Sequence, residues 1–173
     1  MADRNVCPTE RLTRLNQNIY QLAKDDTQLA KTLADAVQSV GAQEGSILLL
    51  TPSGQALRFA LCSSPDSGKL IDTQQPVTRG VVGLVASFQQ PTINNALDND
   101  PQHDPSVDEK VGSHTQSQMA VPLSDAYQEY GVVTAINANN ESGFTNDDLQ
   151  AYLSAAKAIT ARLAELAGGL ARA

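Results

Sequence analysis

A long polar segment between two short apolar runs is the feature that most constrains this chain. The first run starts at Gly80 as Gly-Val-Val-Gly-Leu-Val-Ala, and the second is Met119–Leu123. The residues between them are polar, acidic and interrupted by proline. Connections longer than about 12–15 residues are usually functional or disordered. We therefore interpret residues 80–123 as the lid and wall of a small-molecule pocket.

The composition argues against several classes of partner. A length of 173 residues, 41% of them hydrophobic, predicts a single domain spanning 1–173 with an aliphatic core. The formal net charge of −7 argues against nucleic acid and anionic membrane surfaces, since both require clustered Lys and Arg. The sequence has no apolar run of the ~18 residues that a membrane span needs, and its N-terminus lacks a signal region. We expect a cytoplasmic protein.

Patterns typical of catalysis are missing from the sequence. The two cysteines, Cys7 and Cys62, do not form a Cys-x-x-Cys pair, so metal and dithiol chemistry are disfavoured. Gly80 and Gly83 do not match the Gly-x-Gly-x-x-Gly pattern of dinucleotide-binding proteins. Asp100 and its neighbours could suggest a divalent-cation site, but a solvated acidic loop is the commoner explanation. We therefore predict that the protein is not an enzyme.

Periodicity and turn signals predict an antiparallel α+β domain. Pro8 and Asp25 are suited to begin helices, and Gly41 is suited to end one. The predicted elements are helices at 9–24 and 25–40, a hairpin at 46–51 and 56–62, a loop at 63–78, a helix at 79–88, a strand at 92–95, a hairpin at 118–123 and 130–137, and a helix at 145–167 that frays at Gly168-Gly169. Strands joined by hairpins favour an antiparallel sheet covered by helices.

Apolar residues in the terminal helices recur in steps of three and four, as in helix-packing seams. The N-terminal series is Leu12, Leu15, Ile19, Leu22, Asp26, Leu29, Leu33, Ala36 and Val40. The C-terminal series is Leu149, Tyr152, Ala156, Ile159, Leu163, Leu166 and Leu170. Such seams pack either on the chain's own sheet or on a second protomer. We slightly favour a partner helix for residues 12–22, so that 1–25 and 168–173 are flanking segments of a homodimer.

These residues, taken in order, resemble the GAF domain family over roughly Leu29 to Ala167. The matching motifs are Gly80–Ala86, Pro91–Asn94, Ala96–Pro101, Met119–Leu123, Gly131-Val132 and Phe144–Asp148. The resemblance implies a six-stranded antiparallel sheet. It also implies terminal helices on one face of that sheet, and a ligand pocket with short helices and loops on the other.

The resemblance also implies candidate ligand positions. In members that bind cyclic nucleotides, an Asn-Lys pair precedes a Phe and acidic residues behind the pocket. Asn137 and Phe144 match here, but Ala138 stands in place of the lysine, so a cyclic nucleotide is not favoured. The family's contact positions fall on Ser46, Val81, Val82, Asp104, Asp108, Val111, Thr115 and Thr134.

Other GAF ligands fit less well. A covalent bilin needs a lid cysteine, and no cysteine follows Cys62. The cysteines that free methionine sulfoxide reductases use are also absent. A haem-binding GAF domain uses an axial histidine. We expect His103 to be a solvated loop residue, and His114 to be the better candidate for the pocket, with haem disfavoured.

We thus predict a regulatory sensor domain. A small ligand would bind under residues 80–123, and the terminal helices would relay binding to a signalling partner or effector. The predicted ligand-binding residues are Asp108, Thr115, His114, Thr134, Val81, Val82, Val111, Asp104, Ser46 and Arg58. The alternative is a ligand-free dimerisation or scaffold module with a vestigial pocket.

Overall fold

A six-stranded antiparallel sheet forms the centre of the computed structural model, which describes residues 19–111 and 114–172. The spatial order is β3-β2-β1-β6-β5-β4. The strands are β1 (Ala42–Leu50), β2 (Ala56–Cys62), β3 (Gln74–Pro76), β4 (Thr92–Asn94), β5 (Gln118–Ser124) and β6 (Glu129–Ala138). The α+β fold with six antiparallel strands is therefore confirmed.

Helices cover both faces of this sheet. They are α1 (Thr27–Ser39), α2 (Gly80–Phe88), α3 (Ser106–Val111) and α4 (Asn146–Arg172), with short 3₁₀ helices at Asp66–Leu70 and Leu97–Asn99. A helical segment at 19–24 precedes α1. One apolar cluster joins α1 and α4 to the sheet, and a second joins α2 to the opposite face. Among the described helices, none is long and apolar enough to cross a membrane.

The predicted seams are used mainly inside the protomer. Leu29 and Leu33 of α1, and Tyr152, Ile159 and Leu163 of α4, are at most 1% exposed in the helix-side core. This burial stabilises the domain because each large apolar side chain removed from water contributes roughly 1.5–3 kcal/mol.

The partner-helix interpretation of residues 12–22 stays a prediction. Ile19 lies in the same helix-side core, whereas Leu22 is 40% exposed. Leu12 and Leu15 lie outside the described residues, as does Cys7.

The polar interruption in the N-terminal seam is the cap of α1. Asp26, and not Asp25 as predicted, is the N-cap residue, and its carboxylate accepts a hydrogen bond from the Leu29 backbone N–H at 2.9 Å. Arg162 of α4 donates to the same carboxylate from Nη2 at 2.8 Å and from Nε at 3.2 Å. These hydrogen bonds hold the pKa of Asp26 below its ordinary value. The interruption therefore ties α1 to α4.

Two segments differ from the prediction. The predicted loop at 63–78 contains β3, a three-residue edge strand that is too short to show a sequence period. Its Pro76 lacks a backbone N–H, which is tolerated at the edge of a sheet. Helix α4 continues through Gly168 and Gly169 to Arg172 instead of fraying there. Each glycine costs a helix only about 1 kcal/mol, which long packed helices tolerate.

The ion pair predicts a pH-dependent stability difference. Asp26→Asn keeps a capping residue but loses the charge, so we expect the Tm at neutral pH to fall by roughly 2–4 °C. Because the folded-state pKa of Asp26 is lowered, its contribution is present above the ordinary value of 3.8 and is lost as pH falls through the lowered value. The Tm difference should therefore disappear in acid.

The matched control is Asp35→Asn, which removes an exposed ion pair with Lys31 in the same helix. Exposed pairs contribute little, so its Tm should stay close to that of the unmodified chain. Equal Tm losses for the two variants at neutral pH would contradict the assignment.

Candidate functional site

A small cavity lies between the sheet and the α2–α3 side of the domain. Its volume is about 70 Å³. The sheet contributes Glu44, Ser46, Leu48, Phe59, Gln75, Gln118, Thr134 and Ile136 to its wall, and the covering segments contribute Leu70, Gly80, Val81, Val82, His103, Asp104, Val107, Asp108 and Thr115. A cavity with a mixed polar and apolar lining thus lies at the predicted pocket position.

The floor of the cavity consists of aligned residues on three neighbouring strands. Thr134 of β6 lies opposite Ser46 of β1, and Ile136 lies opposite both Glu44 and Gln118. Directly opposed side chains in antiparallel strands are roughly 4.5–5.5 Å apart. Glu44, Ser46, Thr134 and Gln118 therefore form one polar patch.

Thr134 is the most buried polar residue of this patch. The residue is only 5% exposed, and its hydroxyl has no hydrogen bond with another described residue. Buried polar groups are normally paired with protein or water, because leaving them unpaired costs free energy. A partner that occupies the cavity would satisfy this hydroxyl.

Helix α2 forms the apolar part of the lid. Val81 and Val82 are each 6% exposed and belong to the apolar cluster on this face. Gly80 has a φ of +72°, and a β-carbon there would lie 2.7 Å from Nε2 of Gln75. The helix therefore begins in a backbone conformation that favours glycine, close to the cavity wall.

Two hydrogen bonds, which we call the latch, join helix α3 to Thr115, a residue just before β5. Asp108 Oδ1 accepts from the Thr115 hydroxyl at 2.6 Å, and Asp108 Oδ2 accepts from the Thr115 backbone N–H at 2.8 Å. His103 Nε2 lies 3.6 Å from Asp108 Oδ2. The two residues predicted as ligand anchors thus bind each other.

The neighbouring aspartates stabilise loop turns. Asp104 Oδ1 accepts from the Ser106 N–H at the start of α3, and this hydrogen bond lowers the Asp104 pKa. Asp100 accepts from the Gln102 N–H. Within the described residues, no group of three or more His, Cys, Asp or Glu side chains is placed to hold a metal ion.

The structure brings most predicted site residues to the cavity. Those lining it are Ser46, Val81, Val82, Asp104, Asp108, Thr115 and Thr134. Arg58 lies elsewhere, 4.0 Å from the centre of the Tyr20 ring and 3.4 Å from Asp72. The side chain of Val111 lies outside what the structure describes.

The two histidines exchange their predicted places. His103, expected in solvent, lines the cavity, whereas His114 is exposed and its carbonyl accepts a hydrogen bond from Asn137. Their positions depend on loop geometry, for which the sequence has no periodic signal. Glu44 and Gln118 were also missed, although Glu44 precedes Ser46 by two residues on one strand face, which strand alternation could have shown.

The Asn137 and Phe144 motif residues have structural roles here. Asn137, with a φ of 57°, accepts from the Gln116 N–H at 2.8 Å. Asn95 holds Phe144 through both its backbone N–H and its carbonyl. Asn137 therefore holds the residues on either side of Thr115, next to the latch.

Comparison with known proteins identifies the fold. The GAF domain family model matches residues 23–163. The GAF domain of a phosphoenolpyruvate-protein phosphotransferase from Coxiella burnetii superposes with a TM-score of 0.70 at 14% identity, covering 95% of this chain and 99% of that one. The GAF-B domain of DevS from Mycobacterium smegmatis gives 0.66 at 16% identity, covering 84% and 96%.

An enzyme shares the same fold. The free methionine-R-sulfoxide reductase from Neisseria meningitidis, solved with its substrate, has a TM-score of 0.64 at 20% identity and covers 95% of each chain. At these identities the likeness concerns the fold alone.

The latch predicts a local opening that can be measured. Thr115→Val removes the hydroxyl donor and keeps the backbone hydrogen bond, so residues 106–111 should exchange amide hydrogens roughly tenfold faster. Thr78→Val, at an exposed position, is the control. Unchanged exchange in α3 of the Thr115 variant would show that the hydroxyl does not hold the lid.

Proposed function

The chain belongs to the GAF domain family, and we propose that it is a regulatory domain that binds a small ligand in the cavity beneath α2 and α3. The observation that carries this proposal is Thr134, a 5% exposed residue on the cavity floor whose hydroxyl has no hydrogen bond with another described residue. Regulation is the general role of this family. Which ligand is bound depends on the residues that line the cavity in this chain.

The cavity volume limits the size of that ligand. Pockets for drug-sized molecules measure roughly 300–1,000 Å³, several times the 70 Å³ observed here. Cyclic nucleotides, bilins and haem all exceed the smaller volume. We propose a ligand of a few non-hydrogen atoms that enters when the latch opens. Binding would then shift the population of open and closed lids.

A hydrogen bond through the sheet supports a relay to the terminal helix. The Tyr152 hydroxyl of α4 donates to the Thr134 backbone carbonyl at 2.6 Å, while the Thr134 side chain lines the cavity on the other face. Tyr152 is fully buried, and this burial raises its pKa so that it remains a donor. Movement of Thr134 on ligand binding would therefore reach α4, and from there an effector or signalling partner.

We retain a homodimer as a prediction on narrower grounds. Most described seam residues are buried in the protomer's own core. Among the described apolar residues of the N-terminal seam, Leu22 is the exposed one, at 40%, and it is available to contact a second protomer. Sedimentation velocity at micromolar concentration should show a dimer. A strictly monomeric protein would contradict the prediction without affecting the cavity.

We further propose that the role is regulatory and not catalytic, although the Neisseria neighbour is an enzyme. The whole chain has two cysteines, and Cys62 is half-buried with its Sγ 3.5 Å from the Ser46 hydroxyl. A thiol reductase needs a reactive and accessible thiolate, and the half-buried Cys62 is the one cysteine among the described residues. Reduction of free methionine sulfoxide by the purified protein, lost in Cys62→Ser, would overturn this part of the proposal.

The cavity predicts how ligand binding responds to mutation. Native mass spectrometry and a thermal-shift screen of small metabolites should find a stabilising ligand, and Thr134→Val should weaken its binding roughly five- to tenfold. Thr160→Val is a matched control, because Thr160 is also buried, at 7% exposure, but lies on α4. Ligand-dependent protection of α4 in hydrogen exchange, reduced by Tyr152→Phe, would test the relay.

Two results would count against the site. Equal weakening by the two threonine variants would place the ligand elsewhere, and the absence of any bound or stabilising small molecule would favour the scaffold alternative.

A further inference from the structure

We propose that this cavity binds a small organic cation, with its positive group next to Glu44, and that it excludes anions. The inference rests on the proposed function, because it specifies the ligand of the same cavity. It is carried by the charges around the cavity and by which of its polar groups remain unpaired.

The charged groups lining the cavity are mostly acidic. They are the carboxylates of Glu44, Asp104 and Asp108, and the described lining residues include no lysine or arginine. His103 is the one basic side chain among them, and it lies near Asp108. Burying an anion beside carboxylates is costly, because the low dielectric of an enclosed site strengthens like-charge repulsion. A cation would gain from the same field.

The three carboxylates differ in how far the protein already satisfies them. Asp104 accepts the Ser106 N–H, and Asp108 accepts two hydrogen bonds from Thr115. Glu44 is half-buried, and its carboxylate has no hydrogen bond or ion pair with another described residue. Glu44 is therefore the acceptor that is left for a ligand.

Thr134 supplies the second, independent observation. Thr134 is only 5% exposed as a residue and lines the same cavity, and its hydroxyl has no hydrogen bond with another described residue. Glu44 and Ser46, the strand partner of Thr134, are two residues apart on β1, or roughly 6–7 Å along the strand. A ligand with an ammonium group at one end and a hydroxyl or carbonyl group at the other would satisfy both positions.

The cation is organic and small. A bare metal ion would need several oxygen or nitrogen ligands, and no such cluster occurs among the described residues. The 70 Å³ cavity has room for only a few non-hydrogen atoms. Simple primary amines with a second polar group have this combination of size and charge.

The test compares three probes of nearly equal size on the unmodified chain. Ethanolamine is a cation, ethylene glycol is neutral and glycolate is an anion, and their binding can be followed by NMR titration at millimolar concentrations. We expect shifts centred on residues 44–46 and 134–136 with ethanolamine, and at least tenfold weaker binding of the other two probes. This comparison does not depend on the folding of any variant.

Glu44→Gln then tests the carboxylate, with Glu129→Gln as the matched control on an exposed strand position. We expect the Kd for ethanolamine to rise at least tenfold in the first variant and to remain unchanged in the second. Ethanolamine binding that Glu44→Gln leaves unaltered would overturn the inference.

The outcome also separates this inference from the proposed function. Tighter binding of glycolate or ethylene glycol in the cavity would overturn the charge assignment and leave the ligand-binding function standing. A failure of all three probes, together with an empty metabolite screen, would overturn both.

Discussion

The pairing of β1 with β6 connects the two faces of the domain, because each strand directs some side chains at the terminal helices and others at the cavity. Ile47 and Val133, which are register partners, belong to the helix-side core, whereas Ser46 and Thr134, also partners, line the cavity. A register slip of one residue would exchange these faces. The floor of the site and the core are therefore specified together.

Two glycines allow this pairing to be close. A β-carbon at Gly131 would lie 1.9 Å from the Leu48 carbonyl oxygen, and one at Gly45 would lie 2.5 Å from Val37 and 2.6 Å from the Thr134 carbonyl oxygen. Any larger side chain would separate the strands or displace α1. The same closeness leaves the Thr134 carbonyl open to Tyr152, so close packing of the sheet and the link to α4 share one cause.

The parts that sequence reasoning could predict are those with periodic or local signals. Alternation identified β2, and the glycine-framed run at 80–86 identified α2. The N-cap was displaced by one residue because Asp25 and Asp26 are the same residue type, and the contacts of Asp26 with the Leu29 N–H and with Arg162 appear only in the folded structure. Arg58 was misplaced because its stacking on Tyr20 joins residues 38 positions apart in sequence, for which no local pattern exists.

The lid residues show the same limit of sequence-based prediction, and here it affects which residues are assigned to the ligand. Asp108 and Thr115 were chosen for their ability to bind a ligand, yet that ability is what lets them bind each other. A polar pair so engaged stabilises the closed lid instead of supplying free contacts. Glu44 and Thr134, which have no side-chain partner among the described residues, are on the sheet instead. This division is physically reasonable: paired strands position the recognition groups, while a latch of two hydrogen bonds is weak enough to open.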